Sequence, residues 1–207
     1  MKKFDKDEIN SLRSIMKSRR DVRGNRFKNK KIKKKVLEQI LEAANFAPSV
    51  GFSQPWKFLI IKNEKTRSKI YKDFVKENNK AKRIFKKKDM YKDLKLEGIK
   101  ESYINIAVFY KKPSKEILGQ TSQKKMGEYS VVCAIENLWL MARALGVGVG
   151  WVSILKPKRV KKILGVGKEY KLIGYLTLGY VDQFLDKPEL QKLGWEKKKS
   201  IKDIQVI

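Results

Sequence analysis

Between Tyr129 and Leu145 the chain is apolar on almost every side: Val131, Val132, Ala134, Ile135, Leu138, Trp139, Met141, Ala142 and Leu145 leave no stripe for water. A helix of this kind is buried all round, so the rest of the chain must supply elements that wrap it. The single cysteine, Cys133, falls inside the same pattern and reads as core packing.

The wrapping elements follow from periodicity. Ile9, Leu12, Ile15 and Met16 recur at helical spacing behind acidic Asp5 and Asp7, which predicts a first helix ending near Ser18. Ile32, Val36, Leu37, Ile40, Leu41 and Ala44 form a second amphipathic stripe that stops before Pro48, and Ala47 to Gln54 reads as a loop. Trp56 to Ile61 is a strand and Lys65 to Asn79 a more polar helix. Lys80 to Lys100 is too charged for the main core and reads as a lid. Ile104 to Tyr110 is a second strand. Gly146, Gly148 and Gly150 close the central helix and open a third strand through Trp151 to Leu155. Pro157 starts a short helix that Gly165 stops, and Leu172 to Tyr180 is the fourth strand. From Asp182 the tail is extended and polar apart from Leu190, Leu193 and Trp195, a trio suited to packing on a partner subunit. Strands interleaved with helices predict one α+β (α/β layered) domain, a central mixed sheet flanked by helices, and 207 residues suit a single domain.

Composition then narrows the chemistry. The chain has no histidine, which excludes Ser/His/Asp hydrolases, papain-like proteases and His-based metal sites. One cysteine excludes a Cys-rich metal site, so if the chain is an enzyme, a bound organic cofactor is expected to carry the hard chemistry. The formal net charge of +28 raises nucleic acid or an anionic membrane as partners. Its lysines, however, run from Lys2 to Lys202 among acids at helical spacing, and runs such as Lys28 to Lys35 and Lys86 to Lys88 read as solvated surface. No apolar stretch approaches the ~20 residues of a membrane span, and the charged N-terminus is not followed by a signal-like run, so a cytoplasmic protein is expected.

Three segments carry the candidate chemistry. Arg19, Arg20 and Arg23 put three guanidinium forks near one another, a pattern suited to a phosphate or to a plain basic surface. Asp21 among them is expected to stay ionised as an acceptor or base. In Ala47 to Trp56, Gln54 offers both donor and acceptor to a heterocycle edge, although the segment alone is only a loop. In Gly148 to Ser153, bare backbone and a hydroxyl suit a flat ring or merely a tight strand start. The glycine spacing matches neither the dinucleotide fingerprint nor a phosphate loop.

Taken in order, RRDVR at Arg19 to Arg23, APSVGFSQPW at Ala47 to Trp56, LKLEGI at Leu94 to Ile99, the run from Tyr129 to Leu155 that ends GVGVGWVSIL, and PEL with GW in Pro188 to Trp195 resemble the BluB-type 5,6-dimethylbenzimidazole synthases. These are nitroreductase-like flavoproteins. The resemblance implies a nitroreductase-like fold and a homodimer with its FMN at the subunit interface. The phosphate would be held by Arg19, Arg20 and Arg23, with Val22 in the same segment, and the ring contacted around Ser49, Gly51, Gln54 and Leu96. It ties Asp21 and Ser153 to catalysis: Asp21 takes a proton as the ribityl chain is cut from the ring, and Ser153 bonds a ring nitrogen. It further implies that reduced FMN is substrate as well as cofactor, that molecular oxygen is the co-substrate, and that the products are 5,6-dimethylbenzimidazole and a four-carbon sugar phosphate. The lid would cover the flavin, and a separate flavin reductase or NAD(P)H would supply electrons. In this chain GW is followed by Glu196, Lys197 and Lys198 where family members often carry arginine. An NAD(P)H-dependent FMN nitroreductase, and from another class a basic nucleic-acid-binding protein, stay open as alternatives.

Overall fold

The computed structural model describes residues 2–85, 91, 94 and 96–200. Four strands, β1 (Trp56–Ile61), β2 (Ile104–Lys111), β3 (Val147–Trp151) and β4 (Tyr170–Tyr180), form one sheet in the order β1-β2-β4-β3. The helices are α1 (Lys6–Ser18), α2 (Lys34–Asn45), α3 (Glu64–Ile84), α4 (Met126–Ala144), α5 (Pro157–Leu164) and the short α6 (Glu189–Lys192). The α+β class stands, but the strands pair antiparallel throughout where a mixed sheet was expected. Strands β2 and β3, joined through α4, run in the same direction as a helical crossover requires, yet β4 inserts between them. Parallel pairing survives as an isolated bridge between Asp21 and Val149.

Strand β2 explains the layering. Its side chains alternate with period two: Ile104, Ile106, Val108 and Tyr110 enter one core with α2 and α4, while Ala107 and Phe109 enter another with Ile70 and Phe74 of α3 and Val160 of α5. Helix α4 covers the first face through Val131, Ala134, Ile135, Leu138 and Ala142, all fully buried. It is not buried all round. Tyr129, Val132, Cys133 and Glu136 recur at i, i+3, i+4 and i+7 on a strip that the flanking helices leave open, so Cys133 is exposed rather than core. Helix α1 likewise buries no residue, and Ile9, Leu12 and Met16 are about half exposed.

Several boundaries also move. The third strand consists of the glycine run itself and ends at Trp151, while α3 continues five residues past Asn79. The end of the charged 80–100 segment does join a core: Ile99 is fully buried, Leu96 packs against the same cluster, and the buried Arg67 donates to the carbonyls of Ile99 (2.9 Å), Lys100 (2.7 Å) and Tyr103 (3.3 Å). Residues 86–90, 92, 93 and 95 of the expected lid lie outside the described residues, as do 201–207 of the tail.

Candidate active site

The arginine segment leaves α1 extended and is sewn to the outer edge of β3. The Val22 amide donates to the Val149 carbonyl at 2.9 Å, and the Trp151 amide donates to Asp21 Oδ1 at 3.0 Å. The glycines make this approach possible. A Cβ on Gly148 would stand against the Val22 and Val181 side chains, and one on Gly150 would strike the Val22 carbonyl oxygen and sit 2.7 Å from Thr177 Oγ1. Two motifs that are distant in the sequence thus meet in one backbone seam.

At this seam the three arginines take different roles. Arg23 pairs with Asp21. Arg20 directs Nη1 to the carbonyls of Lys17 (2.8 Å) and Arg19 (2.6 Å) and Nη2 to that of Asp186, leaving Nε buried with no acceptor among the described residues. Arg19 lies 4.7 Å over the Trp139 ring, with Glu136 at 3.5 Å. Trp139, read from sequence only as core, has a second function: its indole Nε1 donates to the Arg20 carbonyl at 3.2 Å. Arg143, one turn on, donates to the Ser18 carbonyl at 3.1 Å. Arg19 and Arg20 open onto a cleft of about 640 Å³ that Lys17, Lys187, Lys197 and Lys198 also line. Arg23 faces a much smaller hollow with Arg26 and Glu189, which Asp21 and Arg20 also line, so Arg20 borders both.

Asp21 does not behave as a carboxylate dominated by arginines. Burial pushes its pKa up from the ordinary 3.8, Arg23, the Trp151 amide and Arg19 pull it back, and Glu189 adds to the rise, with a net shift upward. A third of the side chain still reaches solvent, so a proton can enter and leave. Ser153 lies two residues beyond Trp151, roughly 7 Å along an extended chain, and is exposed, while Val152 between them is buried. Leu96 reaches the same neighbourhood because the next residue, Glu97, accepts the Gly24 amide at 2.9 Å.

The Ser49–Gln54 loop sits elsewhere. Ser130, near the start of α4, accepts the Val50 amide at 3.1 Å and donates to the Met126 carbonyl at 2.8 Å. Nine residues, roughly 13 Å of helix, separate Ser130 from Trp139. Within the loop, Ser49 Oγ accepts the Gln54 amide at 3.0 Å, and Gly51, Phe52 and Gln54 all take positive φ (54°, 49° and 44°). Strain of this kind on Phe52 and Gln54 concentrates at ligand sites. The loop faces a hollow of about 300 Å³ with Tyr110, Lys111 and Gln120, and that hollow shares no lining residue with the arginine cleft. One chain therefore gathers Arg19 to Arg23, Leu96 and Ser153 around β3, and holds Ser49, Gly51 and Gln54 apart from them.

Comparison with known proteins identifies the family and the fold. The nitroreductase family matches residues 16–180, and the chain belongs to that family. The 5,6-dimethylbenzimidazole synthase of Rhodospirillum rubrum is 38% identical over 200 residues, covering 95% of this chain and 94% of that protein. A BluB-like flavoprotein from Clostridium difficile 630 superposes with a TM-score of 0.70 at 23% identity, over 95% of this chain and 98% of its own. An iodotyrosine deiodinase solved with FMN and 3-iodo-L-tyrosine gives 0.69 at 26% identity, over 92% and 96%. Among the described residues no helix is long and apolar enough to cross a membrane.

Proposed function

We propose that this enzyme is an FMN- and oxygen-dependent 5,6-dimethylbenzimidazole synthase that works as a homodimer. The observation that carries the reading is the bond from the Trp151 amide to Asp21 Oδ1, because it joins the RRDVR and GVGVGWVSI segments, the two most specific parts of the resemblance, at one point. The residues fit a flavin nucleotide. Among the described residues Arg20 Nε is a buried donor with no acceptor, and the cleft beside it is lined mainly by cations, which suits a phosphate monoester. Reduced FMN, when bound, supplies the ring that reacts with oxygen and the carbon framework that becomes the product.

The chain's own residues then have distinct tasks. Arg19 and Arg20 bind the dianion. Asp21, with Oδ1 held by the Trp151 amide and Oδ2 paired with Arg23, takes up and releases a proton at its carboxylate, and its raised pKa makes it a better proton acceptor at neutral pH than an ordinary aspartate. Ser153 offers an exposed hydroxyl two residues beyond Trp151. A second copy brings the Ser49–Gln54 loop to the other chain's β3 and covers apolar surface that one chain leaves bare: Phe46 is 70% exposed and Phe52 83%, beside the open strip of α4.

Mixing the protein with chemically reduced FMN in air and identifying the products by mass tests the reading. Loss of flavin with appearance of 5,6-dimethylbenzimidazole is expected. Intact FMN together with steady NAD(P)H oxidation would assign the chain to the nitroreductase activity instead.

A further inference from the structure

The sheet's hold on the third strand ends with the Val152 amide, which donates to the Tyr175 carbonyl at 2.8 Å. Beyond it the chain turns tightly, the Leu155 amide donating to the Ser153 carbonyl at 2.8 Å, and enters α5 at Pro157. Ser153 is exposed at the head of that turn.

The other end of the turn is gripped from α3. Asp73, only 4% exposed, accepts the Lys156 amide on Oδ2 at 2.7 Å, and its Oδ1 stands 2.6 Å from Arg159 Nη1 as an ion pair. Arg159 Nη2 donates to Oε1 of Glu77, one turn further along α3, at 2.6 Å. Around this grip Ile70 and Phe74 of α3 pack with Val160 of α5 in one core. A carboxylate is stable at such depth only where an opposite charge and hydrogen bonds replace its lost water, so the contact is specific to these partners. Helix α3 is in turn supported at its far end. Asn78 Oδ1 accepts the Tyr91 hydroxyl at 2.9 Å, and Trp195, in the tail expected to face a partner subunit, instead lies 5.7 Å from Phe85 of its own chain.

We infer that Asp73 is a positioning residue for Ser153: its carboxylate, paired with Arg159, holds the Lys156 amide and so fixes the turn that presents the hydroxyl. The turn then spans two anchors, the Tyr175 carbonyl in the sheet and the Asp73 carboxylate on α3, and Arg159 keeps the second anchor charged and aimed. A hydroxyl acts on a reacting ring only at hydrogen-bond distance, and a displacement of about 1 Å costs up to roughly 10²-fold in rate. That Ser153 serves the reaction rests on the function proposed above; the grip on its turn does not.

Turnover of reduced FMN in air, FMN affinity by fluorescence and hydrogen exchange at the Lys156 amide test this in the full chain. Asp73→Ala is expected to lower kcat by about 10- to 100-fold with KM for reduced FMN unchanged, and Asp73→Asn, which keeps an oxygen for the Lys156 amide, to restore most of the rate. Arg159→Gln, at a side chain one-third exposed, lowers kcat by about 3-fold and supplies the same test should Asp73→Ala fail to fold. In a Ser153→Ala background neither substitution lowers the rate further, because both act through that hydroxyl. A rate loss that multiplies with Ser153→Ala, or that comes with equally weakened FMN binding, would mark residues that only hold the fold together and overturn the inference. So would a Lys156 amide whose exchange ignores Asp73→Ala and Arg159→Gln. Faster exchange at that amide in a protein whose unmodified form makes no benzimidazole would sink the proposed activity and leave the grip standing.

Discussion

The two ends of α4 hold the two candidate segments by different means. At the C-terminal end, Trp139 and Arg143 clasp the carbonyls of Arg20 and Ser18, and backbone bonds sew the following residues to β3, so the arginine segment is an extension of the sheet. At the N-terminal end, the Ser49–Gln54 loop is tied to the helix through the hydroxyl of Ser130, carries strained backbone and presents a bare Phe52. The difference teaches which half is finished within the chain. The arginine segment is preorganised by main-chain pairing, which few substitutions outside the glycines can undo, whereas the loop is poised on one side chain beside apolar surface that the chain leaves bare.

The largest effect falls on chemistry at the finished half. Asp21→Asn keeps an oxygen for the Trp151 amide but cannot take up a proton, so product formation is expected to fall by about 10²–10⁴-fold, as loss of a general base does, with FMN binding retained by fluorescence titration. The same substitution tests the sign of the pKa shift. A carboxyl that holds its proton more tightly when folded favours the native state at low pH. That contribution is lost as pH rises from the ordinary 3.8 through the higher folded value. At pH 7 the charged form therefore carries a cost that asparagine removes. Allowing for the third of the side chain that solvent screens, the melting temperature of Asp21→Asn is expected to rise by about 1–3 °C. Arg23→Gln removes the strongest group pulling that pKa down, so the acidic limb of the rate profile is expected to move to higher pH. A limb that stays in place would separate Asp21 from the proton transfer.

Next comes the seam. Gly150→Ala drives a methyl group into the Val22 carbonyl oxygen, a backbone atom that cannot turn aside, and is expected to cost roughly 3 kcal/mol in urea denaturation and to release FMN. Gly146→Ala is the control on the same run: its Cβ meets nothing within 4 Å, so any cost comes from φ 70° alone and FMN stays bound.

How much of this was legible in the sequence depends on where the cause of each feature lies. Strand β1 falls on Trp56 to Ile61 as expected, and α5 starts at Pro157 and stops at a left-handed Gly165, because local residue chemistry sets those boundaries. The glycine strand was misplaced toward Trp151 to Leu155 because glycines read as a strand opening, and only the distant Val22 explains why they form the strand. Exposed apolar surface and surface buried in a core have the same composition, so Cys133 and Val132 read as interior when they lie on the open strip. Lys197 and Lys198 stand out in the sequence only as a departure from arginine after GW, and only the fold shows that they line the cleft of Arg19 and Arg20.

The smallest effect belongs to the loop half, and it decides whether the contrast between the two ends is real. Ser130→Ala removes the acceptor for the Val50 amide and the donor to the Met126 carbonyl at a site that is almost fully buried. An amide left without a partner there costs about 1–2 kcal/mol, which for a chain of this size lowers the melting temperature by about 3–6 °C. Hydrogen exchange locates the damage. If one hydroxyl holds the loop, the Val50 amide exchanges faster in the variant while the Val22 amide, paired to Val149 at the far end of the helix, keeps its protection. Parallel loss of protection at both amides would mean that α4 transmits the change along its length, and that the two halves form one cooperative unit within a single chain.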